Sequence, residues 1–296
     1  MDPDDLTEEF EAARSHLRSV AFHLLGSVED ADDAVQAAWL KADRADRRAI
    51  DNPTGWLTTI TVHESLDQLR ARRRAGSLVG ALARADLQHG SWAPAADEDV
   101  LRADAVDRAL LVVLDRLSPA QRVAFVLHDV FAMPFDEIAA VLDRSPDAAK
   151  KLASRARRRL HDGPSAAESP DRERTERHVR IVEAFLVASR DGDLRTLMHL
   201  LAPDVVRRVD RNLVPDAIAT EVRGDRDVAE ETRLFAVRAR SAAVVLLDGE
   251  PAIAIAPRGR LRALMLLAIG ADGRIHEIEI IGDPARLRAG ALAVPR

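Results

Sequence analysis

The apolar pattern of this chain changes period once, and that change limits the fold more than any bulk figure. Through residue 160 apolar residues recur three and four apart, as in Leu17, Val20, Ala21, Leu24 and Leu25, the spacing of amphipathic helices. After the polar stretch "HDGPSAAESPDRER" one more helical segment follows, "ERHVRIVEAFLVASRDGD". Then come "AAVVLLDGEPAIAIAP" and "RLRALMLLAIGADGRIHEIEII", apolar runs interrupted by "DGE" and "ADGR" in the manner of hairpin turns. The change of texture after a polar stretch marks the C-terminal third as a separate α+β domain. The chain's 296 residues allow two or three domains.

The breaks set the boundaries. Residues 1–74 read as a helical domain, with Gly26-Ser27 ending one helix and "VEDADDAVQAAWLKA" beginning the next. Residues 75–101, containing "AGSLVG" and "HGSWAPAADED", read as a linker with one short helix. Residues 102–162 are helical again, 163–174 form a second linker, and 175–296 form an α+β domain. Within 102–162, Ser118-Pro119 and Ser145-Pro146 each place a capping hydroxyl before a proline at the first helical position. "PFDEIAAVL" and "SPDAAKKLASRARRRL" are then two short helices joined by a tight polar turn, a helix-turn-helix pattern.

Several classes of chemistry drop out. The chain has no Cys, which removes disulfides, thiolate-zinc sites and thiol nucleophiles and suits a reducing compartment. Aromatics are only 3%, with no Tyr, so the cores are aliphatic. "MDPDDLTEEFE" has no charged-then-apolar leader, and no apolar run reaches the roughly 18 residues of a membrane helix; the expected address is the cytoplasm, with no membrane partner. His16 and His23 lie seven apart with no carboxylate triad, so no metal and no cofactor is expected.

The net charge is −6, yet "SPDAAKKLASRARRRL" carries Lys150, Lys151, Arg155, Arg157, Arg158 and Arg159 against one acid, Asp147. At about 100° per residue, Lys150, Lys151, Ser154, Arg155, Arg157 and Arg158 share one side with Asp147. Ala148, Ala149, Leu152, Ala153, Ala156 and Leu160 share the other. A solvated charged face is one reading. The preceding short helix favours the other, a helix laid in a DNA major groove.

These segments together resemble an extracytoplasmic-function (ECF) sigma factor, the RNA polymerase subunit that selects promoters. "LGSVEDADDAVQAAWLKA" is similar to regions 2.1–2.2 of that family, "DNPTGWLTTITVHESLDQLRARRR" to regions 2.3–2.4, and residues 114–160 to region 4. The implied architecture is multi-domain: an all-α region 2 bundle, an all-α region 4 helix-turn-helix, and a C-terminal α+β cone resembling SnoaL-like domains. The implied partners are core RNA polymerase and promoter DNA, double-stranded and melted, with a small ligand or an anti-sigma protein as further candidates.

The resemblance also assigns residues. Asp32, Asp33, Gln36, Trp39 and Leu40 match the polymerase-binding helix, although Leu40 reads better as core. Asn52 matches the capture of a flipped −10 base, or else simply enters a helix; Trp56 reads as core. Arg70, Arg72, Arg73 and Arg74 match phosphate contacts near the −10 element. Asp147, Ala148, Lys150, Lys151, Ser154 and Arg155 match readers of the −35 element, with Arg157 and Arg158 on phosphates. Regulatory motifs of a cone-bearing subgroup match Trp92 and Pro94 in the linker, Asp272-Gly273 in "ADGRI", and Asp283, Pro284 and Arg286 in "GDPARL".

Related cones include acid–base enzymes. The candidates for such work here are His199, Asp204, Asp210 and His276. No arranged pair is visible in their spacing, so no catalytic site is expected and the cone reads as a regulator in cis. Two alternatives stand beside a sigma factor: a ligand-responsive repressor and an enzyme with a helical partner domain. The segment matching region 2 separates a sigma factor from the repressor, which needs no polymerase-binding helix and no −10 loop; substrate turnover by the isolated cone would favour the enzyme.

Overall fold

The computed structural model describes residues 3–45, 50, 52–79, 105–161, 172–214, 218–234 and 236–295. The chain forms two compact units, Met1–Leu78 with Leu117–Arg158 and Val79–Arg116 with Arg159–Arg296. Residues 80–104 and 162–171, which hold most of the two expected linkers with Trp92 and Pro94, lie outside the described residues.

The first unit is all helical. Helix α1 (Pro3–Leu25) ends at Gly26, whose φ of 76° suits glycine. Ser27 then caps α2 (Val28–Arg44) by accepting from the Asp30 amide at 3.4 Å. Leu6, Leu17, Val20 and Leu24 of α1 and Ala31, Ala34, Val35 and Ala38 of α2 are buried. Alanine on the facing side lets the two helices approach closely. Helix α3 (Pro53–Val79) buries Leu57, Val62 and Leu66 together with Thr58, Thr61 and Ser65. Those three hydroxyls donate to carbonyls one turn back at 2.8–2.9 Å, so burial leaves none unsatisfied.

The second half of this unit follows the expected capping. Ser118 and Gln121 form a reciprocal capping box at the start of α5 (Pro119–Phe125). The helix expected to continue through Phe131 widens into a π turn at Val126–Val130. Helices α6 (Phe135–Leu142) and α7 (Pro146–His161) follow, separated by Asp143 in the left-handed conformation. Ala149, Ala153, Ala156 and Leu160 are the buried stripe of α7, as its wheel predicts. The Arg122 guanidinium, almost fully buried, donates twice to the His23 carbonyl (3.1 and 3.2 Å). It thereby caps the C-terminal end of α1, where carbonyls lack helical partners. His63 of α3 pairs with the Val141 carbonyl at 2.8 Å.

The second unit is α+β. Among described residues it comprises α4 (Ala105–Leu114), α8 (Arg172–Asp191), α9 (Leu194–Leu200), α10 (Asp225–Leu234), α11 (Ala236–Ala239), α12 (Pro284–Arg288) and seven strands. The strands are β1 (Leu201–Val209), β2 (Glu221–Arg223), β3 (Ala242–Leu247), β4 (Glu250–Ile255), β5 (Ala263–Ile269), β6 (Ile275–Ile281) and β7 (Leu292–Ala293). They form one sheet ordered β2-β1-β6-β5-β4-β3-β7, antiparallel except where β1 meets β6. Both expected hairpins are present. In the first, Asp248 and Gly249 have φ of 52° and 89°, as a type I′ turn requires.

Strand β1 is absent from the sequence reading. Pro203 sits inside it, at the register shift between Leu201 and Val206. A proline is tolerated there because no ladder amide is needed.

Both faces of the sheet are covered. Ala242, Ile253, Ile255 and Ala263 join the main core with α8 residues Val182 and Phe185. The alternating residues Ala243, Val245, Ala252, Ala254 and Leu264 point the other way, and they too are buried. Helix α4, which packs on β3, buries Ala109, Leu111, Val112, Val113 and Leu114. Asp115 and Arg116 hold the end of α4 in the same unit. Asp115 accepts from the Leu261 amide (3.3 Å), and Arg116 donates to the Leu287 carbonyl. Burial, more than any neighbour, pushes the Arg116 pKa down, with Arg288 adding to it and Asp115 opposing. Leu114→Ala is expected to cost about 2–5 kcal/mol, read as a lower denaturation midpoint of the second unit's strand signal in circular dichroism.

Candidate polymerase and nucleic-acid surfaces

The buried stripe of α2 (Ala31, Ala34, Val35, Ala38, Ala42) defines the opposite face by rotation alone. At about 100° per residue, Asp33, Gln36 and Leu40 fall within one stripe facing away from it. All three are exposed, Leu40 to 49%. The expectation that Leu40 is core is therefore corrected: two residues past Ala38 it has turned through some 200° and faces solvent. Asp32 and Trp39 flank this stripe. Asp32 receives a two-point ion pair from Arg18 (2.7 and 3.1 Å). Trp39 is half-buried against Phe10, ring centroids 4.7 Å apart. An exposed leucine between a carboxylate and an amide, with an indole edge beside it, offers apolar area ringed by polar groups.

Asn52 serves the helix it precedes. Its Oδ1 accepts from the Gly55 amide at 2.9 Å, an N-cap of α3. A Cβ on Gly55 would stand 2.6 Å from the Asn52 side chain, so the cap needs glycine there. Beside Asn52 is a pocket of about 270 Å³, lined on one side by His16, Val20 and Thr58 and on the other by Phe131, Met133 and Glu137. The Phe131 ring packs edge-on against His16 and His23, centroids 5.5 and 5.6 Å apart. The helix-entry reading of Asn52 thus holds in this conformation, and the segment before α6 closes over it. Residues 46–49 and Asp51, part of the same expected loop, lie outside the described residues. Trp56 is half-buried.

The basic end of α3 divides. Arg73 and Arg74 are exposed, and Arg70 makes only an exposed ion pair with Asp67 at 3.3 Å. Arg72 instead is committed to the fold. It donates to the Leu25 carbonyl (3.2 Å) and to Gln68 (3.4 Å), and pairs with Asp30 at 2.5 Å, tying the ends of α1, α2 and α3 together. A phosphate contact by Arg72 would have to be made alongside these partners.

On α7, Asp147, Lys150, Lys151, Ser154, Arg155 and Arg158 are all exposed, and Ala148 is half-buried at the first turn. The Ala148 amide donates to the Ser145 hydroxyl at 3.2 Å, the expected cap. Arg157 pairs with Asp129 of the π turn at 2.7 Å, which draws it to the edge of the basic face.

In the cone the subgroup motifs hold local structure. Asp272 accepts from the Arg274 amide and from His276, both at 3.1 Å, and Gly273 takes φ 77° in the same turn. Those contacts, the Arg274 amide first, hold the Asp272 carboxyl below its ordinary pKa. Asp283 caps α12 through the Ala285 and Arg286 amides, both 2.9 Å, with Pro284 at the first position. Arg286 pairs with Glu279 at 2.7 Å. The same helix supplies Leu287, whose carbonyl receives Arg116. The "GDPARL" motif is thus attached to the end of α4.

Of the acid–base candidates, Asp210 binds the Gly282 and Asp283 amides (2.8 and 3.0 Å), and His199 is exposed. His276 lies between Asp272 and Asp204 (3.7 Å), an arrangement the spacing did not reveal because β-strand, turn and a second strand create it. All three are exposed and outside any cavity described. Among the described residues no group of His, Asp and Glu is placed to hold a metal.

The pair the sequence reading missed is Arg207 with Glu231. Arg207 Nε donates to Glu231 Oε2 at 2.8 Å and Nη2 to Oε1, with the Arg207 side chain only 5% exposed. One signal was available: along "VVRRV" alternation turns Arg207 inward with Val205 and Val209.

Two family models match. "Sigma-70 region 2" covers residues 10–75 and "Sigma-70, region 4" covers residues 107–160. The chain is 42% identical over 233 residues to the ECF RNA polymerase sigma factor SigJ of Mycobacterium tuberculosis, covering 74% of this chain and 70% of that protein. It is 31% identical over 287 residues to the probable ECF sigma factor SigI of the same organism, covering 96% and 95%. The crystal structure of M. tuberculosis SigJ aligns over 95% of this chain and 98% of that one, with 33% identity and a TM-score of 0.41.

Arg72→Ala is expected to destabilise the first unit by about 1–3 kcal/mol through the partners it leaves behind. Arg73→Ala should change stability by no more than about 0.5 kcal/mol. Urea titration followed by helical circular dichroism compares the two.

Proposed function

We infer the working of this chain from one premise: it belongs to the ECF family of RNA polymerase sigma factors. It binds core RNA polymerase and promoter DNA and directs promoter-specific initiation. The family acts as an initiation factor, not as an enzyme. No helix among the described residues is long and apolar enough to cross a membrane, and we propose action in the cytoplasm, beside the polymerase.

The residue roles are likewise proposals. Asp33, Gln36 and Leu40, flanked by Asp32 and Trp39, meet the polymerase. Arg70, Arg73 and Arg74 meet phosphates near the −10 element. Asp147, Ala148, Lys150, Lys151, Ser154 and Arg155 read the −35 element, with Arg158 on phosphate and Arg157 at the rim. Phosphate contacts supply affinity; base edges supply sequence.

The cone acts in cis, as a restraint rather than a catalyst. The observation that carries this reading is the split of region 4: the match begins at Asp107, within α4, yet α4 packs on the cone's sheet. A ten-residue helix is not stable alone, and here α4 is held within the cone's unit, while the Asn52 pocket is walled by Phe131 and Met133. Binding to polymerase shifts the population towards the released form.

Lys151→Ala or Arg155→Ala is expected to weaken −35 DNA binding by about 1–3 kcal/mol if the contact is to a guanine edge; unchanged binding in both variants removes that assignment. Leu40→Asp should lower affinity for core polymerase at least tenfold with helicity intact, measured by fluorescence titration. Val245→Asp puts a charge under α4 without touching region 2 or α5–α7. In run-off transcription with core polymerase it should raise initiation severalfold, as should the 1–174 truncation; no change or a fall in Val245→Asp contradicts restraint by the cone.

A further inference from the structure

The cone contains a cavity that neither promoter binding nor polymerase binding uses. It measures about 90 Å³ and is lined by apolar residues of α8 and the inner sheet face, among them Phe185, Leu213, Ile253, Met265 and Ile278. Two charged side chains reach it, Arg207 and Glu231. Arg207 donates to both Glu231 oxygens through one guanidinium edge, Nε and Nη2, and its Nη1 donates to the Ala219 carbonyl at 3.2 Å. Burying such a pair costs several kcal/mol per ion before mutual attraction offsets it, and apolar residues of similar volume hold a core as well or better. A core alone does not call for Arg207. A cavity that fixes the orientation of a ligand does: apolar walls with a few convergent polar groups are the usual composition of such sites.

The chemistry of the lining selects the ligand. The guanidinium charge is already matched by Glu231, so an anion would leave one negative charge uncompensated and a cation would face Arg207. A neutral molecule disturbs neither. The Ser189 and Thr232 hydroxyls also line the cavity. They donate to Phe185 and Val228 carbonyls of their own helices (2.6 and 2.7 Å), which leaves their oxygens as acceptors. The volume is below that of a benzene-binding cavity and holds a molecule on the order of four heavy atoms.

We propose that the cone is a receptor for a compact, neutral, mainly apolar molecule with one oxygen function, a ketone or alcohol, anchored by Arg207. The site adjoins the strand that carries α4. Ala242 of β3 lines the cavity, and its carbonyl accepts from Arg190 at 2.5 Å. The next residues, Ala243 and Val245, are buried on the face that α4 covers. Burial, followed by the charge of Arg108 on α4, pushes the Arg190 pKa down to about 10, so the same guanidinium senses both the cavity wall and the helix. Occupancy therefore bears on how firmly α4 is held. That consequence rests on the restraint proposed above; the binding itself does not.

The test uses the full chain with acetone and isobutane, matched in size and differing in the oxygen, in saturation-transfer NMR titrations. Acetone is expected to bind at least tenfold more tightly than the hydrocarbon. Ala263→Leu, which fills the cavity, should abolish both signals. The double variant Arg207→Leu with Glu231→Leu removes both charges together and should keep the fold while the preference falls to about unity. Absence of saturation transfer to the wild-type chain, equal binding of the two probes, or tenfold preference surviving in the double variant overturns the proposal. Run-off transcription by Val245→Asp tests the restraint separately, so the receptor and the restraint fail by different results.

Discussion

The packing of α4 against the outer face of the cone's sheet is the interaction on which the rest of this structure depends. Ala243, Val245, Ala252, Ala254 and Leu264 are buried on that face. Without α4, β3 would present part of this apolar surface to water. Leu111, Val112, Val113 and Leu114 each contribute about 1.5–3 kcal/mol when fully buried, and the helix is too short to persist without a partner. Asp115 and Arg116 then fasten its end to Leu261 and to α12. The cone thus completes its own core with a helix that the family pattern assigns to region 4.

This sharing gives the cone a means of control that needs no catalysis. Four consecutive buried residues, Leu111–Leu114, span most of the circumference at about 100° each, so α4 is enclosed in its unit rather than laid against it by one face. On the proposed reading, release of this enclosed helix is what polymerase binding shifts. Region 2 has its own closed contacts: Arg122 with the His23 carbonyl, His63 with the Val141 carbonyl, and Phe131 with two histidine rings. The negative total charge fits a protein that meets DNA within a larger complex rather than alone.

Much of this was legible in the residues. Capping at Ser118 and Ser145, helix entry at Asn52 and the two hairpin turns follow from local chemistry, and local chemistry is what a sequence states directly. The two faces of α7 follow from periodicity. Leu40 was misread because its chemistry, not its angular position, was weighed; the alanines around it already marked the buried side. Strand β1 was hidden by Pro203, which only a register shift makes acceptable. The commitment of Arg72 to Asp30 and Leu25, the Arg207–Glu231 pair and the Asp204–His276–Asp272 cluster all depend on long-range approach, which spacing does not encode. The place of α4 in the cone's unit is of the same kind: its sequence fits region 4, and only its long-range packing on β3 puts it there.

Hydrogen–deuterium exchange of residues 105–116, in the free full-length chain and in the chain bound to core polymerase and promoter, tests the central claim most directly. The account predicts that amides of Ala109–Leu114 in the free chain are protected together with β3 and β4, and that binding uncouples them: strand protection persists while the helix changes. Fast exchange of α4 in the free chain, or protection that still tracks β3 in the bound one, would contradict it.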